Sequence, residues 1–174
     1  SGHGLARDVF ADLGIAPVPS LATEIFPMVS KGVVDGMTGS ASLAAVLKVD
    51  QFLKYGVRYP GAFNSLVWTP ILNQQKWDSI SAADQAIMEK HIGEGLSRYV
   101  SGLWDEAEAK AIANMKANGV KIHDASPEFV AEVKKLTAKY TDEWLEKAEK
   151  RGVDGKAAMA YFHEQLQAVM NEKK

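Results

Sequence analysis

The second half of the chain repeats apolar side chains at helical spacing almost without interruption, which limits it to long helices and one short strand. Ser81 with Asp84 resembles a capping box, and Ser126 followed by proline is a second helix start. Glycines at 93 and 95 predict a break in the first long helix. We therefore predict a mostly helical segment over 76–174 with a strand at 120–124. Its apolar positions are Met88, Ile92, Tyr99, Leu103, Ile112, Met115, Phe129, Val133, Leu136, Tyr140, Trp144 and Ala148.

The first half carries shorter elements that alternate between the two types. The pattern predicts helices over 4–13, over 23–32 with Thr23 as N-cap, and over 41–54 with Leu43, Val46, Leu47 and Phe52 as the apolar face. It predicts strands over 15–19 and 33–37, and β-prone runs at 57–59 and 66–72. Strands that alternate with helices favour a parallel sheet and the α/β class. We expect an α/β segment over 1–75 whose loops face a cleft.

The stretch SKGVVDGMTGS, residues 30–40, is the first candidate for a binding site. Small residues follow the expected strand 33–37, and ligands of parallel sheets bind beyond the carboxyl ends of the strands. Met37, Thr38, Gly39 and Ser40 would then offer hydroxyls and exposed backbone N–H groups. An ordinary turn has the same composition. Phosphate is disfavoured because no lysine follows the glycines.

The turn around Pro60-Gly61 is the second candidate. Arg58 has the planar fork that binds both oxygens of a carboxylate, although a surface charge has the same sequence pattern. Phe63, like Tyr59 and Trp68, lies beside this turn and is a candidate for an aromatic pocket wall or for the core.

Composition and motif searches exclude several classes of function. The net charge of −2 gives no basic field for nucleic acid or an anionic membrane. The chain has no cysteine, and its four histidines show no metal-ligand spacing, so no metal or other cofactor is expected. No nucleophile motif is present, and we expect no catalysis. Asp105, Glu106 and Glu108 are interpreted as a solvated helix face. The first residues lack the pattern of a signal peptide, and no apolar run approaches the roughly 20 residues of a membrane span.

Three segments of the chain resemble, in order, three segments of one known family. LGIAPVPSLATEIFPMVSKGVVDGM resembles an LGA-x-PV…GVVDG segment, and ILNQQKWDSISAADQAIMEKH resembles an N-x-x-x-W-DSLP-x-x-DQ-x-AI stretch. GLWDEAEAKAIANMKANGVKIHDASPEFVAEVKK resembles a long helix, a short strand and the helix that follows them. The family that carries these segments is the solute-binding proteins of TRAP transporters, the DctP type, and the resemblance covers essentially the whole chain.

The resemblance implies a periplasmic protein that captures a small organic acid and passes it to the membrane permease of a TRAP transporter. Its fold would be a periplasmic-binding-protein-like lobe with a parallel-type sheet and long C-terminal helices. Family members are longer, and their carboxylate-binding arginine precedes the region that matches residue 1. The chain would therefore be a C-terminal, partial fold that binds weakly or not at all alone, and that could dimerise or swap domains through its uncovered surface.

The same resemblance brings a few residues of this chain into the expected cleft. The turn from Arg58 onward corresponds to a segment that reaches the ligand, which makes Asn64 a second polar candidate beside Arg58. Relatives often carry an aromatic residue at the position of Ala22 and a polar or aromatic group at Met37–Ser40. A different class also fits the sequence, a small helical α/β interaction protein that pairs with itself through its apolar helix faces.

Overall fold

The computed structural model describes residues 3–60 and 68–172, and the side chains within these ranges except those of residues 3–6. The helices are α1 His3–Asp12, α2 Ala22–Ser30, α3 Ala41–Val46, α4 Gln74–Asp78, α5 Ala82–Glu89, α6 Glu94–Ala117, α7 Pro127–Glu149 and α8 Gly155–Glu172. The strands are β1 Tyr55–Arg58 and β2 Lys121–Asp124, and a short 3₁₀ helix covers Asp50–Phe52.

The described residues form two compact units. Unit 1 combines the residues up to Pro17 with those from Ser126 onward, and unit 2 is the continuous stretch Val18–Ala125. The boundary that the sequence suggests between 75 and 76 falls inside unit 2. It separates a segment of alternating predicted elements from a mostly helical one, whereas the two units are defined by packing.

The sheet of unit 2 is parallel, as the alternation of elements predicts, and it pairs β1 with β2. Tyr55 lies opposite Lys121 and Arg58 opposite Asp124. Backbone bonds of 2.9 Å from the Lys121 N–H to the Lys54 carbonyl and 2.8 Å from the Ala125 N–H to the Arg58 carbonyl complete the ladder at its two ends. The observed α/β architecture is thus a mostly helical chain with a small parallel sheet.

The strands expected at 15–19 and 33–37 are wrong, since neither stretch enters a sheet. The first N–H groups of both stretches bond back to the preceding helix, from Ile15 to the Phe10 carbonyl at 2.9 Å and from Val33 to the Met28 carbonyl at 2.8 Å. These are the six-to-one bonds of Schellman caps, which close helix ends. The β-prone run at 66–72 is also not a strand over its described part, 68–72.

Local end signals place most of the helices correctly. The Ser81 hydroxyl accepts from the Asp84 N–H, and α6 begins only after Gly93, whose φ of 68° interrupts the helix as expected. Thr23 is wrong as the N-cap of α2. Leu21 occupies that position, because the Glu24 carboxylate reaches back to the Leu21 N–H at 2.9 Å.

The core of unit 2 forms where α3 packs against the C-terminal half of α6. Its buried residues are Ser42, Ala44, Val49, Ala111, Met115 and Val120. The helix expected over 41–54 ends at Val46, and its expected apolar face is wrong: Val46 is 77% exposed whereas Val49 is fully buried. The cause is Lys48, whose φ of 57° turns the chain so that the Val49 N–H returns to the Ala44 carbonyl at 2.9 Å.

Unit 1 packs α7 against α1 on one side and against α8 on another. Its buried residues are Val9, Val133, Ala148 and Gly155. The Asp12 carboxylate at the end of α1 accepts hydrogen bonds from the Lys139 ammonium at 2.6 Å and from the Tyr140 hydroxyl at 3.2 Å. The hydrogen bond from Lys139 holds the pKa of Asp12 below its usual value, so the pair ties α1 to α7 in the ionised state.

Candidate functional site

The segment Met37–Ser40 leads into α3 and is positioned by that helix, not by the end of a strand. The Ser40 hydroxyl caps α3 by accepting from the Leu43 N–H at 3.1 Å, and it lies 2.9 Å from the Ser42 hydroxyl. Ser40 therefore has its hydroxyl engaged within the protein. The Thr38 side chain is exposed, which leaves Thr38 as the more accessible hydroxyl of the two expected donors.

Position 39 has room for a glycine but not for a larger residue. Its φ of 157° is a conformation that side chains disfavour, and a Cβ placed there would lie 3.1 Å from both the Met37 Cε and the Leu43 Cδ2. Met37 is half-buried, so its side chain covers part of the main chain that the sequence suggested would be bare. The exposed residues of the candidate loop are therefore Thr38, Gly39 and Ser40.

Glu108, which the sequence placed on a solvated helix face, binds the start of α3, so that interpretation is wrong for this residue. Its Oε1 accepts from the Ala41 N–H at 2.9 Å and its Oε2 from the Ser42 N–H at 2.8 Å. A carboxylate of the chain itself therefore occupies the two backbone N–H groups that directly follow the candidate segment Met37–Ser40. A sequence signal for this contact existed, because Glu108 precedes buried Ala111 and Met115 by three and seven positions on one helix.

Arg58 lies at the carboxyl end of β1, directly opposite the last residue of β2. Its Nε and Nη2 both lie 2.7 Å from the Asp124 Oδ1, and both side chains are more than half exposed. The guanidinium is therefore held at the edge of the sheet where parallel strands end, and it already forms one carboxylate pair. Such an exposed pair contributes about 0–1 kcal/mol to stability.

The structure describes five of the seven predicted ligand-binding residues, and these five lie in one unit. Met37, Thr38, Gly39, Ser40 and Arg58 all lie in unit 2. Glu108 on α6 binds the backbone directly after the first four, at Ala41 and Ser42, and Asp124 binds Arg58 at the end of β2. Phe63 and Asn64 lie outside the described residues.

Within residues 3–60 and 68–172, His, Asp and Glu side chains form no group of three or more that could hold a metal ion. In the same ranges, no helix combines the length and the apolar character that crossing a membrane requires.

Comparison with solved structures defines the class of protein. A TRAP periplasmic solute-binding protein of Bordetella bronchiseptica, solved with (R)- and (S)-mandelate, matches 94% of this chain and 52% of its own with a TM-score of 0.82 and 24% identity. A marine metagenome TRAP solute-binding protein specific for aromatic acid ligands, with 3-hydroxybenzoate, matches 88% of this chain and 48% of its own at a TM-score of 0.70 and 26% identity. The fold is that of the TRAP periplasmic binding proteins.

The sequence comparisons then give the family. Residues 2–148 match the DctP family, bacterial extracellular solute-binding protein family 7, and the chain belongs to that family. The family consists of substrate-binding proteins of transporters, not of enzymes. The resemblance seen in the three sequence segments is thereby confirmed.

Two curated relatives show how much of a family member this chain represents. It is 28% identical to the outer membrane transporter protein TsaT of Comamonas testosteroni over 166 residues, 95% of this chain and 49% of that protein. It is 26% identical to the C4-dicarboxylate-binding periplasmic protein DctP of Rhodobacter capsulatus over 136 residues, 78% of this chain and 40% of that protein. The chain thus spans half or less of the length of these relatives.

Proposed function

We propose that this chain forms part of a periplasmic protein that captures a small organic acid and delivers it to a TRAP permease. The observation that carries the proposal is the match of residues 2–148 to a family of solute-binding proteins. No catalytic step is involved. Binding acts by shifting the protein from an open to a closed state through contacts that only the closed state makes.

The solute class that we propose is a carboxylate, with aromatic acids as the first group to test. Neighbours of the same fold are described with mandelate and 3-hydroxybenzoate, and the Rhodobacter relative is named for C4-dicarboxylates. Arg58 supports an acid because its guanidinium already orders one carboxylate, that of Asp124, at the end of the sheet. The proposed contacts are the segment Met37–Ser40, Arg58, Phe63 and Asn64.

Calorimetry on the complete gene product tests this proposal. The panel contains benzoate, 3-hydroxybenzoate, mandelate and succinate, with benzamide as a neutral control of nearly the same shape as benzoate. We expect at least one acid to bind and benzamide not to bind. If no acid in a broad panel binds, the proposed solute class is wrong.

Arg58→Gln tests the role of the arginine in the same assay. Losing a charged hydrogen bond to the solute costs about 1.5–3 kcal/mol, so we expect affinity to fall by about tenfold to a hundredfold. Arg151→Gln is the matched control, since Arg151 is exposed at the end of α7 in the other unit. Equal affinities of the two variants for the acid would show that Arg58 does not bind the solute.

A second candidate function is self-association through apolar helix faces. The N-terminal half of α6 favours it, because Tyr99, Leu103 and Trp104 are 67%, 48% and 52% exposed. Exposed apolar surface on this scale often marks an interaction site. Light scattering across a range of concentrations separates the candidates: a concentration-dependent dimer without acid binding supports self-association, and an acid-binding monomer excludes it.

A further inference from the structure

The Glu108 carboxylate forms a two-point contact with the first turn of α3. Each oxygen accepts from a different backbone N–H, Oε1 from Ala41 and Oε2 from Ser42, at 2.9 and 2.8 Å. These two residues lie 67 and 66 positions away in sequence. The contact therefore joins two distant stretches of unit 2, and it does so in the geometry that a bound carboxylate would adopt.

The position of Glu108 on α6 explains why the contact forms. Glu108 shares one helix face with Ala111, Ile112 and Met115, at the three- and four-residue spacing that aligns side chains. Ala111 and Met115 are buried where α6 packs on α3. Glu108 lies on the same face of α6, one turn nearer to its N-terminus than Ala111. Glu108 itself is half-buried, which shields its hydrogen bonds from water more than those of a fully exposed pair.

The contact completes the hydrogen bonding at the start of α3. The first N–H groups of any helix lack acceptors within the helix. Here the Glu108 carboxylate accepts from the Ala41 and Ser42 N–H groups, and the Ser40 hydroxyl accepts from the Leu43 N–H. Ser40 is also the last residue of the candidate ligand segment. Whatever fixes the start of α3 therefore fixes where that segment enters the helix.

From this geometry we propose that Glu108 is a positioning residue for the ligand segment Met37–Ser40. It does not touch the solute, and it acts through α3. The proposal rests on the proposed function for its effect on ligand affinity, whereas its effect on α3 holds independently. Without the carboxylate, two N–H groups lose their acceptors, α3 frays at its start and the segment before it loses its fixed position.

Two substitutions and one control test the proposal in the complete gene product. Glu108→Ala removes both acceptors, and Glu108→Gln keeps the side-chain volume but turns an amide NH₂ toward one of the two backbone N–H groups. Glu106→Gln is the matched control, because it is the same chemical change on an exposed side chain of the same helix. Should the alanine variant fail to fold, the glutamine variant carries the test.

Two measurements are made on each variant, amide hydrogen exchange at residues 41 and 42 and the dissociation constant for the acid found in the calorimetric panel. We expect exchange at these amides to become at least about tenfold faster in both Glu108 variants. We expect the dissociation constant to rise about tenfold, and Glu106→Gln to leave both quantities unchanged. A general loss of stability would accelerate exchange across unit 2, whereas the proposal confines the change to the start of α3.

The outcomes separate this proposal from the proposed function. Unchanged exchange at 41 and 42 overturns the positioning role, and so does faster exchange with an unchanged dissociation constant. If the wild-type protein binds no acid, the proposed function fails. The exchange data then decide alone. Faster amide exchange confined to residues 41 and 42 supports the proposal that Glu108 fixes the start of α3, and unchanged exchange there overturns it.

Discussion

Val49 is fully buried in the core of unit 2, and its truncation gives the sharpest test of the fold. It lies three residues after the end of α3, and the turn at Lys48 directs it inward. Val49→Ala removes two methyl-sized groups without introducing a polar atom or a charge. The backbone at this position, φ −94° and ψ −14°, suits alanine as well as valine, so the change reports packing alone.

The expected cost follows from two contributions. Transfer of two methyl-sized groups out of the core loses about 1.6 kcal/mol at about 0.8 kcal/mol each. The cavity of about 50 Å³ that remains adds about 1 kcal/mol if its walls do not relax. We therefore expect Val49→Ala to lower the free energy of unfolding by about 2–3 kcal/mol.

Val46→Ala provides the matched control, because it is the same change three residues earlier at a side chain that is 77% exposed. It should stay within about 0.5 kcal/mol of the wild type, since it empties no buried volume. Urea titrations followed by circular dichroism, with the slope of the transition checked for constancy, measure both variants. Equal effects of the two substitutions would refute the assignment of Val49 to the core.

Two further predictions concern the ends of helices. Because the hydrogen bond from Lys139 lowers the pKa of Asp12 from its usual 3.8, the folded state favours the ionised carboxylate; the stability it contributes is present above about pH 4 and is lost as the pH falls through the lowered folded pKa. The difference in unfolding free energy between wild type and Asp12→Asn should therefore shrink as the pH falls below about 4 in urea titrations, and a constant difference would contradict the ion pair. Gly93→Ala should destabilise by about 1–3 kcal/mol, because φ 68° with ψ −137° is a backbone conformation that strains any residue with a Cβ, although nothing lies within 4 Å of the added Cβ. Gly95→Ala, inside α6, should instead be neutral or stabilise by up to about 1 kcal/mol, and the same sign for both would refute the backbone argument.

The helices were predictable because their signals are local. The spacing of apolar residues, the Ser81 and Ser126 caps and the break at Gly93 each depend on a few neighbouring residues. Strands depend on a partner that lies elsewhere in the chain. Val33 and Val34 have high strand propensity, yet their N–H groups are taken by the Met28 carbonyl at the end of α2. Propensity alone could not reveal that competition.

The candidate site was predictable as residue types and not as contacts. Arg58 was expected to bind a carboxylate, and the carboxylate that it binds in the structure belongs to Asp124, 66 residues away. Glu108 was grouped with its acidic neighbours, although its register with Ala111 and Met115 places it on the packed face of α6. In both cases the missing information was which distant segment folds against the residue, and no short sequence window contains it.

Unit 1 is built from two segments that are far apart in the sequence, and this limits the order in which the chain can acquire its structure. Asp12 meets Lys139 across 127 residues of sequence, and the whole of unit 2 is encoded between them. Because synthesis runs from the N-terminus, every residue of unit 2 is available before α1 can contact α7. Until α7 is synthesised, the contact between Asp12 and Lys139 cannot form. The interval before α7 emerges should accordingly be the stage at which a chaperone, or misassembly, has its best opportunity to act on unit 1.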